Sequence, residues 1–429
     1  MSVHPPAATT AHLGGDTPAA PGLRPAQSAR VARTHLTYRD AAPGLSVREA
    51  DLSLRLDGGG HGLLDTTHFD TVRFPPPAWA DEAIREAVAT GAWAYTPYRG
   101  DPGVLADLAT AIGGFLGSPV TPGNLALTPG TQGALFTTLS SLVDEGDLVL
   151  LADPDYLFCE RILAFLGARV ERIPLILDGG QPSLDLDAVE RFLPEQPKLL
   201  MFSHPNNPTG AVYPAEMISR VADLALAGGF RVLVDELYSR LLYTDVPFPH
   251  LRSEPGMADR TITLLGPSKT ESMSGFRIGV VVAPEDVIAS VEQTLAMTSL
   301  RAPAYAQRML ARWLVDDDDF LRERIADLEA IKRTTVESLS RVPGLRMTPQ
   351  DGTAYLFLDV SAFGVSDVEV AGALQREAQV VVSPGYQFGP SGTGHFRICY
   401  ARDETEWAAA LERMVVCLTG LASAAGIQK

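Results

Sequence analysis

Lys269 stands in Gly-Pro-Ser-Lys-Thr-Glu-Ser-Met-Ser-Gly-Phe-Arg (266–277), a lysine among small and hydroxyl-bearing residues, with Arg277 about two helical turns further on. An ammonium ordinarily stays in water because stripping its solvent is costly. A lysine placed in such a stretch suits chemistry that needs it uncharged and nucleophilic, the condensation of an amine with a carbonyl. Asp235 closes the apolar run Val232-Leu233-Val234. A carboxylate buried there needs a cation beside it, since desolvation otherwise favours its neutral form, and a pyridinium nitrogen would be such a partner. His204-Pro205-Asn206-Asn207-Pro208-Thr209-Gly210 is a polar turn at another strand end, with Asn207–Pro208 a candidate cis bond. Pro129-Gly130-Thr131-Gln132-Gly133 turns from a strand into a helix, where free backbone N–H groups bind phosphate. Asp153-Pro154-Asp155-Tyr156 puts an aromatic ring in position to stack on a planar ligand. Arg397, within His395-Phe396-Arg397-Ile398-Cys399-Tyr400, is an arginine in an apolar strand and suits a carboxylate ligand.

The elements that must position these groups alternate. Asp81–Thr90 and Val104–Leu116 read as helices, Leu125–Thr128 as a strand, Thr131–Leu142 as a helix and Asp147–Leu151 as a strand. Short apolar runs follow at Lys198–Ser203, Arg231–Asp235 and Thr261–Leu265, with helical stretches at 158–167, 187–193 and 214–228 between. Continuous apolar strands separated by helices imply a mostly parallel sheet covered on both faces. Gly130, Tyr156, Asn207 and Asp235 all follow strand ends, where ligands bind in such sheets. After Gly279–Val282 come long helical sections (286–315 and 319–341). A smaller α+β unit then contains Leu356–Leu358, Val380–Val382, Phe396–Ile398 and a helix near 403–421. The expected division is a tail without structure over 1–35, a segment 36–79 joining the small domain, a large domain over 80–300 and a small domain over 301–429.

The chain has 429 residues, 46% hydrophobic and 20% charged, enough for a large core. A net charge of −17 argues against a nucleic-acid partner or a basic membrane patch. No apolar run reads as a bilayer span. Cys159, Cys399 and Cys417 are too few and too scattered for a disulfide framework or a zinc site, so no metal is expected and a reducing cytoplasm is the default.

Taken together, these residues resemble the pyridoxal-phosphate enzymes of fold type I, in the class I/II aminotransferase (aspartate aminotransferase-like) family. The motifs that carry the likeness are Tyr95-Thr96-Pro97-Tyr98-Arg99-Gly100, the heptad around Asn207, Asp235–Tyr238, Ser268–Arg277 and Phe396-Arg397, in the family's order and over about residues 60–420. The resemblance implies that Lys269 carries the Schiff base of pyridoxal 5'-phosphate and later moves the substrate proton. It implies that Asp235 pairs with the pyridinium nitrogen, that Asn207 and Tyr238 bond the phenolic oxygen, and that Tyr156 stacks on the ring. Gly130, Thr131, Gln132, Ser268 and Arg277 would hold the phosphate, reached also by Tyr95 of a neighbouring subunit in a homodimer with shared sites. Arg397 would clamp the α-carboxylate of an amino acid. The chain departs from the family at Gly266, where a phosphate-binding serine is usual. A second departure is the loop Thr66–Thr71, in which His68, Phe69 and Asp70 either pack the small domain or shape a substrate pocket. Arg301 either lies on the surface or meets a distal carboxylate. The implied activity is transamination of an amino acid to its keto acid in two stages, with specialised metabolism as one setting for it. The alternative is β- or γ-elimination or replacement, for example on S-adenosylmethionine, which uses the same residues.

Overall fold

The computed structural model describes residues 27–36, 63–69, 74–177, 180–243, 247–315 and 317–427. Its centre is an eight-stranded sheet formed by β2 (Leu125–Thr128), β3 (Leu148–Asp153), β4 (Arg169–Ile176), β5 (Ser183–Leu184), β6 (Leu199–Ser203), β7 (Arg231–Asp235), β8 (Thr261–Leu265) and β9 (Gly279–Val282). The strand order is β2-β9-β8-β7-β6-β3-β4-β5. The run from β8 to β4 is parallel, β9 is antiparallel to both of its neighbours, and β5 is antiparallel to β4. Because β9 runs against both neighbours, β2 points the same way as the parallel strands, and its end joins theirs on one edge.

Alternation along each strand builds the two faces. Leu148, Leu150, Leu200, Phe202, Val232 and Val234 pack on one side with the helix Ala215–Gly228. Val149, Leu151, Leu199, Met201, Leu233 and Ile262 pack on the other with the helices Gly130–Leu142 and Glu285–Met297. A strand covered on both faces has no polar side, which is why these read as continuous apolar runs. β4 escaped the sequence reading because Arg169, Glu171 and Arg172 interrupt its apolar pattern near the sheet margin.

The small unit is an antiparallel sheet of order β10-β11-β14-β13, from Arg346–Met347, Tyr355–Asp359, His395–Cys399 and Ser383–Pro384 respectively. The helices Asp318–Leu339 and Glu404–Ala424 cover it, joined by a hydrogen bond from Trp407 Nε1 to Thr335 Oγ1 of 2.8 Å. Early in the chain, β1 (Leu64–Asp65) pairs in parallel with β12 (Val380–Val381). Among the described residues Glu404–Ala424 is, by length and composition alone, long and apolar enough to cross a membrane. Its Trp407, Leu411, Met414 and Leu418 are buried in the small core, which accounts for its apolar face.

Two further expectations shift. The stretch 286–315 is two helices, Glu285–Met297 and Ala304–Met309, parted by a bend with Leu300 at φ +62° and Pro303. Ala302, Ala306, Met309 and Trp313 pack with Trp79 and Leu127 in a core of the large sheet. Within the tail, Ala29–Ala32 forms a helical turn capped by Ser28 and tied down by an Arg33–Glu145 ion pair of 3.0 Å. That anchor lies more than a hundred residues away and leaves no local sequence signal.

Gly279, the first residue of β9, lies against the turn after β2. A Cβ there would sit 2.6 Å from Gly130 C and Thr131 N. Gly279→Ala should therefore overpack the junction and destabilise the fold by about 1–3 kcal/mol, read as a lower urea midpoint. An unchanged midpoint would contradict this packing.

Candidate functional site

A cavity of about 280 Å³, open to solvent, lies at the strand ends between the two units. Thr131, Gln132, Tyr156, Asn207, Asp235, Tyr238, Lys269, Arg397 and His68 all line it. Residues drawn from segments more than three hundred positions apart thus meet as the sequence reading expected.

One end is built for an anion. The chain leaves β2, bonds Thr128 Oγ1 to Gly130 O at 3.0 Å, and enters the helix Gly130–Leu142. Gly130 has φ +77°, and the Arg277 guanidinium fills the space a side chain would take. Arg277, itself at φ +52°, donates from Nη1 to Ser274 O at 2.8 Å and reaches Pro129 O at 3.5 Å. Thr131 Oγ1 and Ser268 Oγ are buried without a hydrogen-bond partner. Two orphan hydroxyls, helix-terminal N–H groups and a guanidinium form a donor set suited to a phosphate. The departure at Gly266 also gains a reason. A Cβ there would approach Thr131 Oγ1 to 3.1 Å, so the threonine hydroxyl already occupies that corner.

The centre carries a half-buried carboxylate. Asp235 Oδ1 accepts from Leu237 N at 3.1 Å. Burial pushes its carboxyl up to about 6, with Glu236 adding to the rise and Lys269 opposing it. A carboxyl raised to about 6 stays largely ionised at neutral pH, and a cationic ring nitrogen beside it would favour that charged form. Tyr156 stands beside it, its hydroxyl donating to Gln132 Oε1 at 3.1 Å. Behind both, Asp155 ties two turns together. Its Oδ1 accepts from Tyr156 N at 2.6 Å, and its Oδ2 accepts from Ser203 N at 2.9 Å and Asn206 Nδ2 at 3.1 Å. Ser203 Oγ in turn accepts from Asn207 N at 3.0 Å. The cis bonds among the described residues are Asp153–Pro154 and His204–Pro205, so the expected position at Asn207–Pro208 is corrected.

The third part lies under the small sheet. Arg397 is buried in β14, its guanidinium over the rings of Tyr355 at 4.1 Å and Phe388 at 4.7 Å. Nη1 donates to Asn207 Oδ1 and Nη2 to Thr67 O, both at 2.6 Å, while Nε–H is buried without an acceptor. The unmet donor suits a carboxylate. Tyr238 shares a 3.0 Å hydrogen bond with Tyr355, and burial pushes its hydroxyl well up. His68 lines the cavity, whereas Phe69 is buried in the small core against Phe74, so the pocket reading of Phe69 is corrected: its apolar ring is used in packing. Asp70 lies outside the described residues. Tyr95 is 81% exposed and does not line this chain's cavity.

Sequence reasoning missed Tyr355, Ser203, Thr67 and the apolar wall of Leu135, Leu157, Phe158 and Leu237. Ser203 and Tyr355 sit at the ends of strands that were legible, which was the available signal. The wall residues have none, since a cavity leucine and a core leucine read alike.

Comparison with known proteins agrees with the geometry. The family model "Aminotransferase class I and II" matches residues 65–414. A probable aspartate/prephenate aminotransferase of Thermus aquaticus is 31% identical over 348 residues, 80% of this chain and 89% of the relative. An arginine–pyruvate transaminase of Pseudomonas aeruginosa is 29% identical over 351 residues, 81% and 88% of the two chains. The crystal structure of an aspartate aminotransferase from Rhodobacter sphaeroides superposes with a TM-score of 0.79 at 34% identity, covering 87% of this chain and 99% of that one.

Asp155 gives a test of the geometry. Burial pushes its carboxyl from 3.8 up to about 7. The folded state then holds a proton that the unfolded state has released, so this group's contribution to stability falls as pH rises from about 4 to about 7. Asp155→Asn cannot titrate. The melting-temperature difference between variant and wild type should therefore move in the variant's favour across that window, and parallel curves would contradict the burial.

Proposed function

The chain belongs to the class I and II aminotransferases and transfers amino groups of amino acids with pyridoxal phosphate, and from that premise we propose the following division of labour in its cavity. The observation that carries it is the convergence of Lys269, Asp235, Asn207 and Arg397 on one cavity, with a carboxylate raised by burial at its centre and an unmet guanidinium donor under the small sheet. The cofactor, when bound, supplies a carbonyl that condenses with amines and a ring that accepts electrons from the substrate's Cα–H bond.

Lys269 holds the cofactor and afterwards moves the proton at the substrate Cα. Asp235 stays ionised against the ring nitrogen and keeps that nitrogen protonated. Asn207, its Oδ1 taken by Arg397, presents its amide N–H to the phenolic oxygen, with the Tyr238 hydroxyl as second donor. Tyr156 stacks on the ring; Gly130, Thr131, Gln132, Ser268 and Arg277 hold the phosphate. Arg397 receives the α-carboxylate and so orients the Cα–H bond toward the lysine. Elimination or replacement has no observation in its favour: the compared relatives bear transaminase names.

The assembly we propose is a twofold homodimer whose partner completes each site through Tyr95. In support, Trp93, Tyr95, Tyr98, Met297, Leu300 and Tyr305 form an exposed apolar group on two segments that touch one another. Cys159, Cys399 and Cys417 are buried thiols, which suits a reducing cytoplasm.

For the substrate side chain, the wall of Leu135, Leu157, Phe158 and Leu237 favours an apolar or aromatic group. The cavity's lysine and arginine, Lys269 and Arg397, are both committed to the parts every amino acid shares. A panel of amino acids should show higher kcat/KM for apolar or aromatic donors than for aspartate; a preference for aspartate would refute this assignment.

Two variants test the roles. Borohydride should couple the cofactor irreversibly to the peptide bearing Lys269, and Lys269→Ala should abolish coupling; an unchanged adduct would sink the assignment. Arg397→Lys loses the planar two-point grip and should raise KM for amino acids about tenfold or more with cofactor still bound. Loss of cofactor instead would remove Arg397 from substrate binding.

A further inference from the structure

The guanidinium of Arg301 lies 4.1 Å from the centre of the Tyr95 ring and 5.1 Å from that of Tyr98. Its Nε–H is buried without an acceptor. The two segments that meet here are locked from behind. Gln307, fully buried, donates from Nε2 to Thr96 Oγ1 at 3.0 Å and to Ala302 O at 2.8 Å, while its Oε1 accepts from Asp101 N at 2.8 Å. An ion pair of 3.1 Å between Arg308 and Asp101 adds a second tie. Arg301 follows Leu300, which is held at φ +62°, a conformation that a branched side chain adopts only under constraint. A glutamine, an ion pair and a strained turn together set one arginine on one tyrosine, although that tyrosine is 81% exposed.

We propose that Arg301 is a positioning residue for Tyr95, holding its ring ready to enter the partner's site and adding positive potential where the cofactor phosphate is met. The inference rests on the reading of Tyr95 as a phosphate contact made across the dimer. A tyrosine free on the surface would lose rotamer freedom on docking, and a cation stacked on its ring removes part of that cost beforehand. The guanidinium also brings a charge toward a dianion that, with glycine at position 266, lacks a hydroxyl from that residue. Arg301 is thereby turned from the alternatives of surface residue and distal-carboxylate ligand toward the phosphate.

The experiment measures release of cofactor from holoenzyme diluted into a trap, following the absorbance of the Lys269-bound form. Arg301→Met keeps the stem and loses the charge; it should speed release about tenfold, the size of a partly desolvated cation–π contact. Arg301→Lys should recover most of the loss, which a purely structural arginine would not require. A hybrid dimer of one Arg301→Met subunit with one Lys269→Ala subunit places the intact Arg301 opposite the intact lysine. Release from that hybrid should return to the wild-type rate. Fast release from the hybrid would show that Arg301 acts within its own subunit and overturn the proposal. Wild-type release from Arg301→Met, with a raised KM confined to dicarboxylic amino acids, would overturn it in favour of a substrate contact. Tyr95→Phe separates the two levels. If it leaves release unchanged, the reading of Tyr95 itself fails; if it speeds release and Arg301→Met does not, only the inference about Arg301 fails.

Discussion

A charge taken out of water must meet its opposite, and the cavity is organised by two charges that form no ion pair among the described residues. Asp235 ends a central strand as a carboxylate whose burial drives it toward the neutral form. Arg397 lies beneath the small sheet as a cation resting on two rings, an amide and a peptide carbonyl. Each is stable enough to be built in and incomplete enough to want a ligand. One wants a cation and the other an anion, from opposite sides of the same space. A ring bearing a positive nitrogen and an amino acid bearing a carboxylate satisfy both at once, and the lysine lines the same cavity.

The framework around these charges is unusually well cross-braced on its polar side. Asp155 joins the turn of the stacking tyrosine to the turn of the asparagine, and Ser203 passes the restraint to the Asn207 backbone. Asp153, two residues earlier, accepts from Ser391 N at 3.2 Å and Ser391 Oγ at 3.0 Å, which links the large sheet to the loop before β14. These bonds sit in a low-dielectric interior, where a satisfied network rigidifies its members. Geometry at the strand ends is therefore set by buried carboxylates that touch no ligand themselves.

Much of this was legible in the sequence because it obeys local rules. Asp235 and Asn207 follow apolar runs, and strand ends in a parallel sheet share one edge, so their convergence followed from topology alone. Lys269 gained its meaning from that convergence. What escaped depends on contacts made across the fold. His68 and Phe69 are neighbours in an equally unusual loop, yet one lines the cavity and the other fills the core beside Phe74. The period of a short loop does not say which face is which. Arg301 read as one of two ordinary alternatives, because Tyr95 and Tyr98 lie some two hundred positions before it. β4 was hidden by its own arginines and glutamate, since a strand near the margin need not be apolar throughout.

The amide of Asn207 has a further consequence. Its carbonyl oxygen is engaged by an arginine from the small unit, and the residue itself lines the ligand space. A single planar group with two fixed ends behaves as a lever. If the small unit swings, the guanidinium drags the oxygen, and the amide nitrogen must tilt with it. The hydrogen bond that this nitrogen offers to a chromophore would change with the same motion. The colour of the loaded protein would then act as an internal gauge of how far its two halves have closed, with no external label.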